Sequence, residues 1–495
     1  MSTVSKQHAE RRPGHFSVGS EKTFPLVRPL PEEFTPEYCF RRLAKLDCPV
    51  WLDSSLQHEH YGRFSYLAAD PFAKVRIDKP TPDALVRFAE LSSACRQEPL
   101  DDLPPFQGGW LGWFGYELGH CFEDVPEAAN NEFHLPLANL GLYDVVLSWD
   151  HQEGRGYIVS QGFPYQQTDR RMNRAYRRLK WMSNVLGGPE DFEARTASTA
   201  MAEHRLAEQF STRWSEDWTS NFSSAMYRDA VARCVEYVYA GDIFQVNLSQ
   251  RLLTKARAFS PELYLHLRQQ NPAPFSGYAD FGRTQVISSS PERFLQLRNG
   301  ELEARPIKGT RPRLTDPLAD HGIAELLQAS AKDVSENVMI VDLLRNDLSR
   351  VSHEDSVRVE QLCGLEKYPY VWHLVSVIRS RLNSDATPWD VLRGTFPGGS
   401  ITGAPKIRAM EIVAELEPTA RGPYCGSLGY ISFAGDMDLS ILIRTVTACE
   451  GWWQVPVGGG IVADSDPALE EQETWHKAEG ILRAIDGLPS SSKNK

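Results

Sequence analysis

No two cysteines in this chain are spaced as Cys-x-x-Cys. The eight, Cys39, Cys48, Cys95, Cys121, Cys234, Cys363, Cys425 and Cys449, are scattered, which excludes a zinc knuckle and a compact disulfide framework and is the pattern of reduced thiols. No apolar run approaches the roughly 20 residues of a membrane span; the stretch Val371 to Ile378 is broken by His373 and Ser376. Basic charge is not in excess: 53 Lys+Arg against 65 Asp+Glu leave −12, which disfavours nucleic acid and anionic membranes as partners. Neither a fixed-period repeat nor a low-complexity block occurs, so solenoids and propellers are set aside. The stretch to Thr23 carries Arg11 and Arg12 but no apolar core, and reads as a polar tail rather than a secretory signal. A soluble, cytoplasmic protein is expected.

What the chain does have is enough material for a large core, with 41% apolar and 24% charged residues over a length of 495. Helical spacing, as in Glu37 to Lys45, alternates with strand-like runs such as Leu142 to Trp149. The text from 187 to 224 is rich in Gly, Glu, Ser and Thr and reads as a linker. Beyond it, Tyr227 to Ala240 is an amphipathic helix closed by Gly241, followed by a strand over Ile243 to Leu253. The expected organisation is a tail (1–23), a mixed α/β region (24–186), the linker (187–224), a second α/β region (225–488) and a short tail (489–495).

Several segments in the second region are able to carry chemistry. Gly398 to Lys406 fails as a P-loop, because Lys406 follows a proline and no Ser or Thr follows it. It and Gly458-Gly459-Gly460 are either tight turns or backbone cradles for a carboxylate. Asp466 and Pro467 mark a helix start, and a helix from Pro467 to Ile485 puts Glu470, Glu473 and Lys477 on one face. Two carboxylates at that spacing suit a hard divalent cation, or form a solvated acidic face; Glu336, on a helical stretch running to Leu348, is a candidate third. Lys308, in a bend marked by Pro306 and Gly309 and crowded by Arg305, Arg311 and Arg313, is a nucleophile if desolvated and otherwise part of a basic loop. Glu292 and the strand histidine His373 are open in the same way.

The order and spacing of these segments resemble the chorismate-utilising enzymes over roughly Leu43 to Ile485. The resemblance is densest at Phe244 to Ser249, Ser289 to Phe294, Arg305 to Arg313, Asp342 to Leu348, Gly398 to Lys406, Tyr424 to Tyr430 and Gly458 to Val462. It implies an α/β fold of two antiparallel sheets stacked face to face and covered by helices. At Gln245 the water-using members carry a lysine, so ammonia is the implied nucleophile. At Lys308 the anthranilate-forming members carry a small residue. The lysine implies amination of chorismate at ring carbon four, giving 4-amino-4-deoxychorismate on the route to 4-aminobenzoate and folate.

By the same resemblance Lys308 is the nucleophile and Glu292 the general acid. Mg²⁺ is held by Glu336, Glu470 and Glu473. Substrate contacts fall to Gln245, Thr310, His373, Thr402, Arg444, Lys477 and Gly458, Gly459 and Gly460. In the first region, Phe106 to Trp110 and Gly115 to Gly119 resemble the family's N-terminal signature. Ser54, Tyr61, Gly62, Arg63, Phe64, Pro274, Phe275 and Ser276 are implied to line a tryptophan pocket, the alternative being simple packing. No glutamine-hydrolysing Cys–His–Glu triad is recognisable, so a separate glutamine amidotransferase subunit is expected to supply ammonia. The competing readings are an anthranilate-forming large subunit, against which Lys308 speaks, and a catalytically silent tryptophan-binding regulatory subunit, against which the full set of carboxylates speaks.

Overall fold

A computed structural model of the chain describes residues 24–57, 61–190, 200–368 and 371–488. The two expected tails, and 191–199 of the expected linker, lie outside the described residues.

Local chemistry sets the main helices. Asp466 accepts hydrogen bonds from the amides of Ala468 and Leu469, Pro467 takes the first helical position, and the helix runs Pro467–Asp486. Its buried Trp475, Ala478, Ile481, Leu482 and Ile485 recur at helical spacing, which fixes the face turned to the sheet and leaves Glu473 off that face, only partly covered. Ser330 caps Ala331–Ser349, so Glu336 lies in its second turn. Ser223 caps Ser224–Ala240, and Gly241 closes it at φ 83°, a left-handed cap that costs glycine no Cβ clash.

Among the described residues the strands form two antiparallel sheets. The larger runs, neighbour by neighbour, Leu26–Pro29, Arg155–Ser160, Val145–Asp150, Phe64–Ala68, Val50–Asp53, Phe275–Asp280, Thr284–Ser290, Thr445–Cys449, Trp452–Ile461, Gln245–Lys255, Thr219–Ser220 and Phe210–Ser211, with Gly403–Ala404 also paired to Gln245–Lys255. The smaller runs Ile307–Pro312, Val371–Arg381, Glu301–Ala304, Arg293–Arg298, Met437–Ile441, Ser427–Ser432, Gly109–Phe114, Ala138–Tyr143 and Ala73–Ile77, with Arg358–Lys367 on Val371–Arg381. Both regions of the chain contribute strands to both sheets, and the segment 187–224 adds two short ones and the buried Trp218.

Apolar faces from the two sheets meet in a core that includes Val50, Tyr66, Ala279 and Val286 from one and Leu111, Trp113, Leu428 and Tyr430 from the other. Helices cover the outer faces: Trp475, Ile481 and Met182 pack against the larger sheet, Phe88, Trp389 and Ile340 against the smaller. The expected two-sheet α/β fold is the one observed.

Three local expectations change. The run Leu142 to Trp149 is two strands rather than one: the chain passes from the smaller to the larger sheet at Asp144, a fully buried carboxylate met by Arg174 at 2.8 Å and Arg178 at 3.2 Å. Gly458, Gly459 and Gly460 are not a loop but the end of the strand Trp452–Ile461, opposite Ser249, Leu248 and Asn247. Lys308 is not in a bend between strands; it sits in the strand Ile307–Pro312, beside a bulge.

Candidate active site

The site lies where the Ile307–Pro312 strand, the Gln245–Lys255 and Trp452–Ile461 pair, the turn 398–402 and the helices Ala331–Ser349 and Pro467–Asp486 converge. Gly309, at φ 80°, is the extra residue of the bulge, so Lys308 and Thr310 oppose the consecutive residues Leu374 and His373. A Cβ there would come within 3.0 Å of Asp333 and Leu327, which only glycine avoids. The bulge thus seats Lys308 against the helix that carries Glu336.

The crowding arginines are otherwise engaged. Arg311 pairs with Asp333 at 3.0 Å, Arg313 with Asp320 at 3.0 Å, and Arg305 with Glu366 at 2.5 Å. The charges that Lys308 itself acts on are Glu292, Glu336 and Glu473. Burial pushes the Glu292 carboxyl above the ordinary carboxylate range, opposed by the Lys308 ammonium and by a 3.2 Å hydrogen bond from the Ser400 hydroxyl. A carboxyl biased toward its protonated form beside an amine is the pairing of an acid with a nucleophile.

Around Gly459 three side chains converge: a Cβ at that position would lie 3.4 Å from Glu470 Oε2, 3.5 Å from Lys477 Nζ and 3.7 Å from Glu473 Oε1. Lys477 Nζ donates to Gly458 O at 3.0 Å and pairs with Glu473 Oε1 at 2.6 Å, while Glu470 Oε1 accepts from Ser465 at 2.6 Å. Burial raises Glu470, and the Glu473 charge adds to it. Glu336 is raised by burial too, with Lys308 and Lys332 opposing and Asp333 and Glu473 reinforcing. Partial burial also acts to raise Glu473, but Lys477, then Lys332 and Lys308, pull it below its ordinary value.

Among the described residues no three His, Cys, Asp or Glu side chains stand close enough to grip a metal as they are oriented. The donor set nevertheless fits a hard divalent ion. It is all carboxylate oxygen, it includes two carboxyls raised by burial and by like charge, which a cation would relieve, and the missing Cβ of Gly459 leaves space between two of them.

Gln245 is 1% exposed, and neither end of its amide has a hydrogen-bond partner. Its Nε2 would lie 2.5 Å from a Cβ on Gly460, so the glycine strand makes room for it. A buried amide left unpaired costs about 1–3 kcal/mol, a penalty that a polar ligand in the site would relieve. Arg444, at φ 52°, donates to Lys477 O at 2.9 Å, and burial lowers its pKa against the pull of Tyr424 and Glu473. His373 Nδ1 and Thr310 Oγ1 are 2.8 Å apart, with the Tyr368 ring edge-on to the imidazole. Thr402 is turned away: fully buried, it spends its hydroxyl on Gly398 O at 3.0 Å. Lys406 is also engaged elsewhere, held by Asp347 at 2.7 Å and Thr395 O at 2.8 Å.

Ser400, Ser465 and Lys332 were not singled out by sequence. Ser400 was visible only as one residue of a glycine-rich turn, whereas Lys332 had a signal in its position four residues before Glu336 on one helix.

A second cavity, of about 510 Å³, is lined by all eight residues read as a tryptophan pocket: Ser54, Tyr61, Gly62, Arg63, Phe64, Pro274, Phe275 and Ser276. Arg293, adjacent in sequence to Glu292, lines it as well, paired with Asp438 at 2.9 Å. All eight cysteines are free, and burial raises every thiol, so none is an activated nucleophile of the kind glutamine hydrolysis requires.

The chain is 39% identical to aminodeoxychorismate synthase component 1 of Escherichia coli, over 91% of this chain and 96% of that one. It is 40% identical to anthranilate synthase component 1 of Streptomyces coelicolor, over 93% and 89%. Among solved structures, anthranilate synthase component I from Streptococcus pneumoniae superposes with a TM-score of 0.72 at 29% identity, over 86% of this chain and 95% of that one. Residues 48–483 match the family described as chorismate binding enzyme, and with relatives of that identity and coverage the chain belongs to it.

Proposed function

We propose that this chain aminates chorismate at ring carbon four to 4-amino-4-deoxychorismate, on the route to 4-aminobenzoate. Overall identity does not separate this from anthranilate formation, being 39% to one relative and 40% to the other. The observation that carries the reading is Lys308, seated by the Gly309 bulge within reach of the Glu292 charge.

The Lys308 amine adds at ring carbon two, the ring double bond shifts, and the carbon-four hydroxyl leaves as water on taking the Glu292 proton. Ammonia then bonds to carbon four, the double bond shifts back, the bond to Lys308 breaks to return its neutral amine, and a proton from the new carbon-four ammonium restores the Glu292 carboxyl. The sum is chorismate plus ammonia giving the amino product plus water. Lys477 and Arg444 supply positive charge for the substrate carboxylates, and the Gly458 to Gly460 strand supplies backbone N–H groups. Gln245, His373 and Thr310 are further substrate contacts on this reading, whereas Thr402, whose hydroxyl, amide and carbonyl are all taken up within the fold, holds its turn in place. Glu336, Glu470 and Glu473 would hold Mg²⁺, which supplies Lewis-acid neutralisation of the ring carboxylate.

Ammonia is supplied by a separate glutamine amidotransferase subunit, consistent with the absence of an activated thiol here and with relatives named as one component of a synthase. The second cavity takes tryptophan; its volume and its pairing of Tyr61 and Phe275 rings with Arg63, Ser54 and Ser276 suit an aromatic amino acid. Purified chain given chorismate, Mg²⁺ and ammonium should yield 4-amino-4-deoxychorismate, identified by mass. Anthranilate and pyruvate as the main products would overturn the reading, as would no turnover. Glutamine in place of ammonium should be inert until the partner subunit is added.

A further inference from the structure

Both ends of the Ser400–Glu292 hydrogen bond are mounted on over-determined backbone. On the serine side, three consecutive carbonyls of the turn are tied down. Ser400 O accepts from Asn247 Nδ2 at 3.1 Å, Ile401 O from Arg421 Nη1 at 3.2 Å, and Thr402 O from the Asn247 amide at 2.9 Å. Arg421 is in turn locked to the buried Glu417 at 2.6 Å, and the Thr402 hydroxyl closes the turn on Gly398 O. Neither Thr402 nor Lys406 turns a polar group toward the site, so the hydroxyl this turn presents there is that of Ser400.

On the glutamate side, Glu292 O accepts from the Ile441 amide at 3.0 Å, and the Ser290 hydroxyl, itself donating to Ile441 O at 2.6 Å, lies 3.3 Å from the Glu292 amide. Ser400 is 8% exposed, so water does not compete for its hydroxyl.

We propose that Ser400 is a positioning residue for the general acid, fixing which carboxyl oxygen of Glu292 is left to deliver the proton. The hydroxyl donates to Oε1 at 3.2 Å and so holds the carboxyl plane, leaving Oε2 to face the leaving hydroxyl. Two groups other than burial act on this carboxyl, Lys308 from the strand Ile307–Pro312 and Ser400 from the turn, and both favour its ionised form. The hydroxyl therefore also keeps Glu292 able to shed its proton once it has been aimed. The inference rests on the amination reading, since it assumes that Glu292 is the acid of that reaction.

The experiment compares Ser400→Ala, Ser400→Thr and Glu292→Gln with the parent protein. Ser400→Ala should lower kcat about tenfold with KM for chorismate nearly unchanged, while Ser400→Thr, which keeps the hydroxyl, should recover most of the rate. Independently of turnover, infrared difference titration, with the Glu292 band assigned by its loss in Glu292→Gln, should show the Glu292 midpoint moved up by about half a unit to one unit in Ser400→Ala. Equal kcat and an unmoved band in a folded Ser400→Ala protein would overturn the proposal. Should Ser400→Ala not fold, the test passes to Ser400→Thr and Ser400→Cys: a rate near the parent's with Thr, and a loss with the weak donor Cys, are expected, and equal rates in the two would overturn it. A parent protein that does not aminate chorismate, with the band still shifted in Ser400→Ala, would instead remove the amination reading and leave the hydrogen bond standing.

Discussion

Glu473 Oε1 lies 2.6 Å from Lys477 Nζ, one turn along the same helix, so an ammonium already sits on a carboxylate proposed to hold a divalent ion. Partly exposed pairs of this kind are worth only about 0.3–0.5 kcal/mol. A divalent ion can displace the lysine, which then becomes free to bind a substrate carboxylate. With Mg²⁺ held as proposed, metal and substrate binding would be coupled by that exchange.

The first prediction is a pH-dependent metal requirement. Glu336 and Glu470 are held above the ordinary carboxylate range and must lose their protons before they ligate, so Mg²⁺ affinity should weaken as pH falls. Raised groups favour the metal-free fold at low pH and lose that contribution as pH rises through their folded values. Mg²⁺ should therefore stabilise the protein most on the alkaline side of that window. Chelator should abolish turnover, Mn²⁺ should substitute for Mg²⁺, and Glu470→Gln should weaken Mg²⁺ binding about tenfold or more. Calorimetric titration at several pH values checks this; a pH-independent affinity contradicts it.

Tryptophan should bind the second cavity in the absence of chorismate. At about 100 times its Kd it would stabilise the fold by about 2.7 kcal/mol, read as a rise in Tm. The Phe275 ring meets Tyr61 edge-on at 5.1 Å, and Phe275→Ala should weaken binding about tenfold. No change in Tm with tryptophan, for a protein active on chorismate, would leave the cavity to another occupant.

Some of this was legible in sequence, and the reasons differ residue by residue. The helix beginning at Pro467 was readable because Asp466 and the proline write its cap in consecutive letters, and the face carrying Glu470, Glu473 and Lys477 follows from helical spacing alone. The strand character of Gly458 to Gly460 was not, because a run without side chains has no alternation to show. Asp144 was a visible polar letter inside an apolar run, but that it turns the chain from one sheet to the other depends on Arg174 and Arg178, some thirty residues on. The crowding of Lys308 by arginines, evident in sequence, is undone by Glu366, Asp333 and Asp320, whose pairing only the fold reveals. Ser400 remained invisible because its meaning is a single contact with a residue 108 positions away.

Lys406 supports the fold rather than a ligand. Its ammonium is buried against Asp347 at 2.7 Å, joining the start of Lys406–Leu416 to the end of Ala331–Ser349; burial lowers the lysine and raises the aspartate. Lys406→Ala leaves a buried carboxylate unpaired and should cost about 3–5 kcal/mol. The double variant Lys406→Met with Asp347→Leu should recover most of that loss, measured by denaturant unfolding. Should the single variant unfold like the parent, the pair contributes nothing.

Lys308 gives the most discriminating test. If it acted only as a positive charge, Lys308→Arg would retain much of the rate. A guanidinium stays protonated and cannot attack carbon, so a covalent role predicts a loss of about a thousandfold or more. Lys308→Ala removes the nucleophile and opens space over ring carbon two, in the bulge that Gly309 shapes. Ammonia can then attack carbon two directly, and the residual product should shift toward anthranilate. The intermediate itself is accessible when ammonia is withheld: with chorismate alone, the parent protein should carry an adduct lighter than chorismate by one water, mapped by peptide mass to Lys308. Adding ammonium should discharge it as 4-amino-4-deoxychorismate at a rate no slower than turnover. A near-normal rate in Lys308→Arg together with no adduct under rapid trapping would mean that Lys308 serves as a charge, and the choice between carbons two and four would then have to come from the walls of the site.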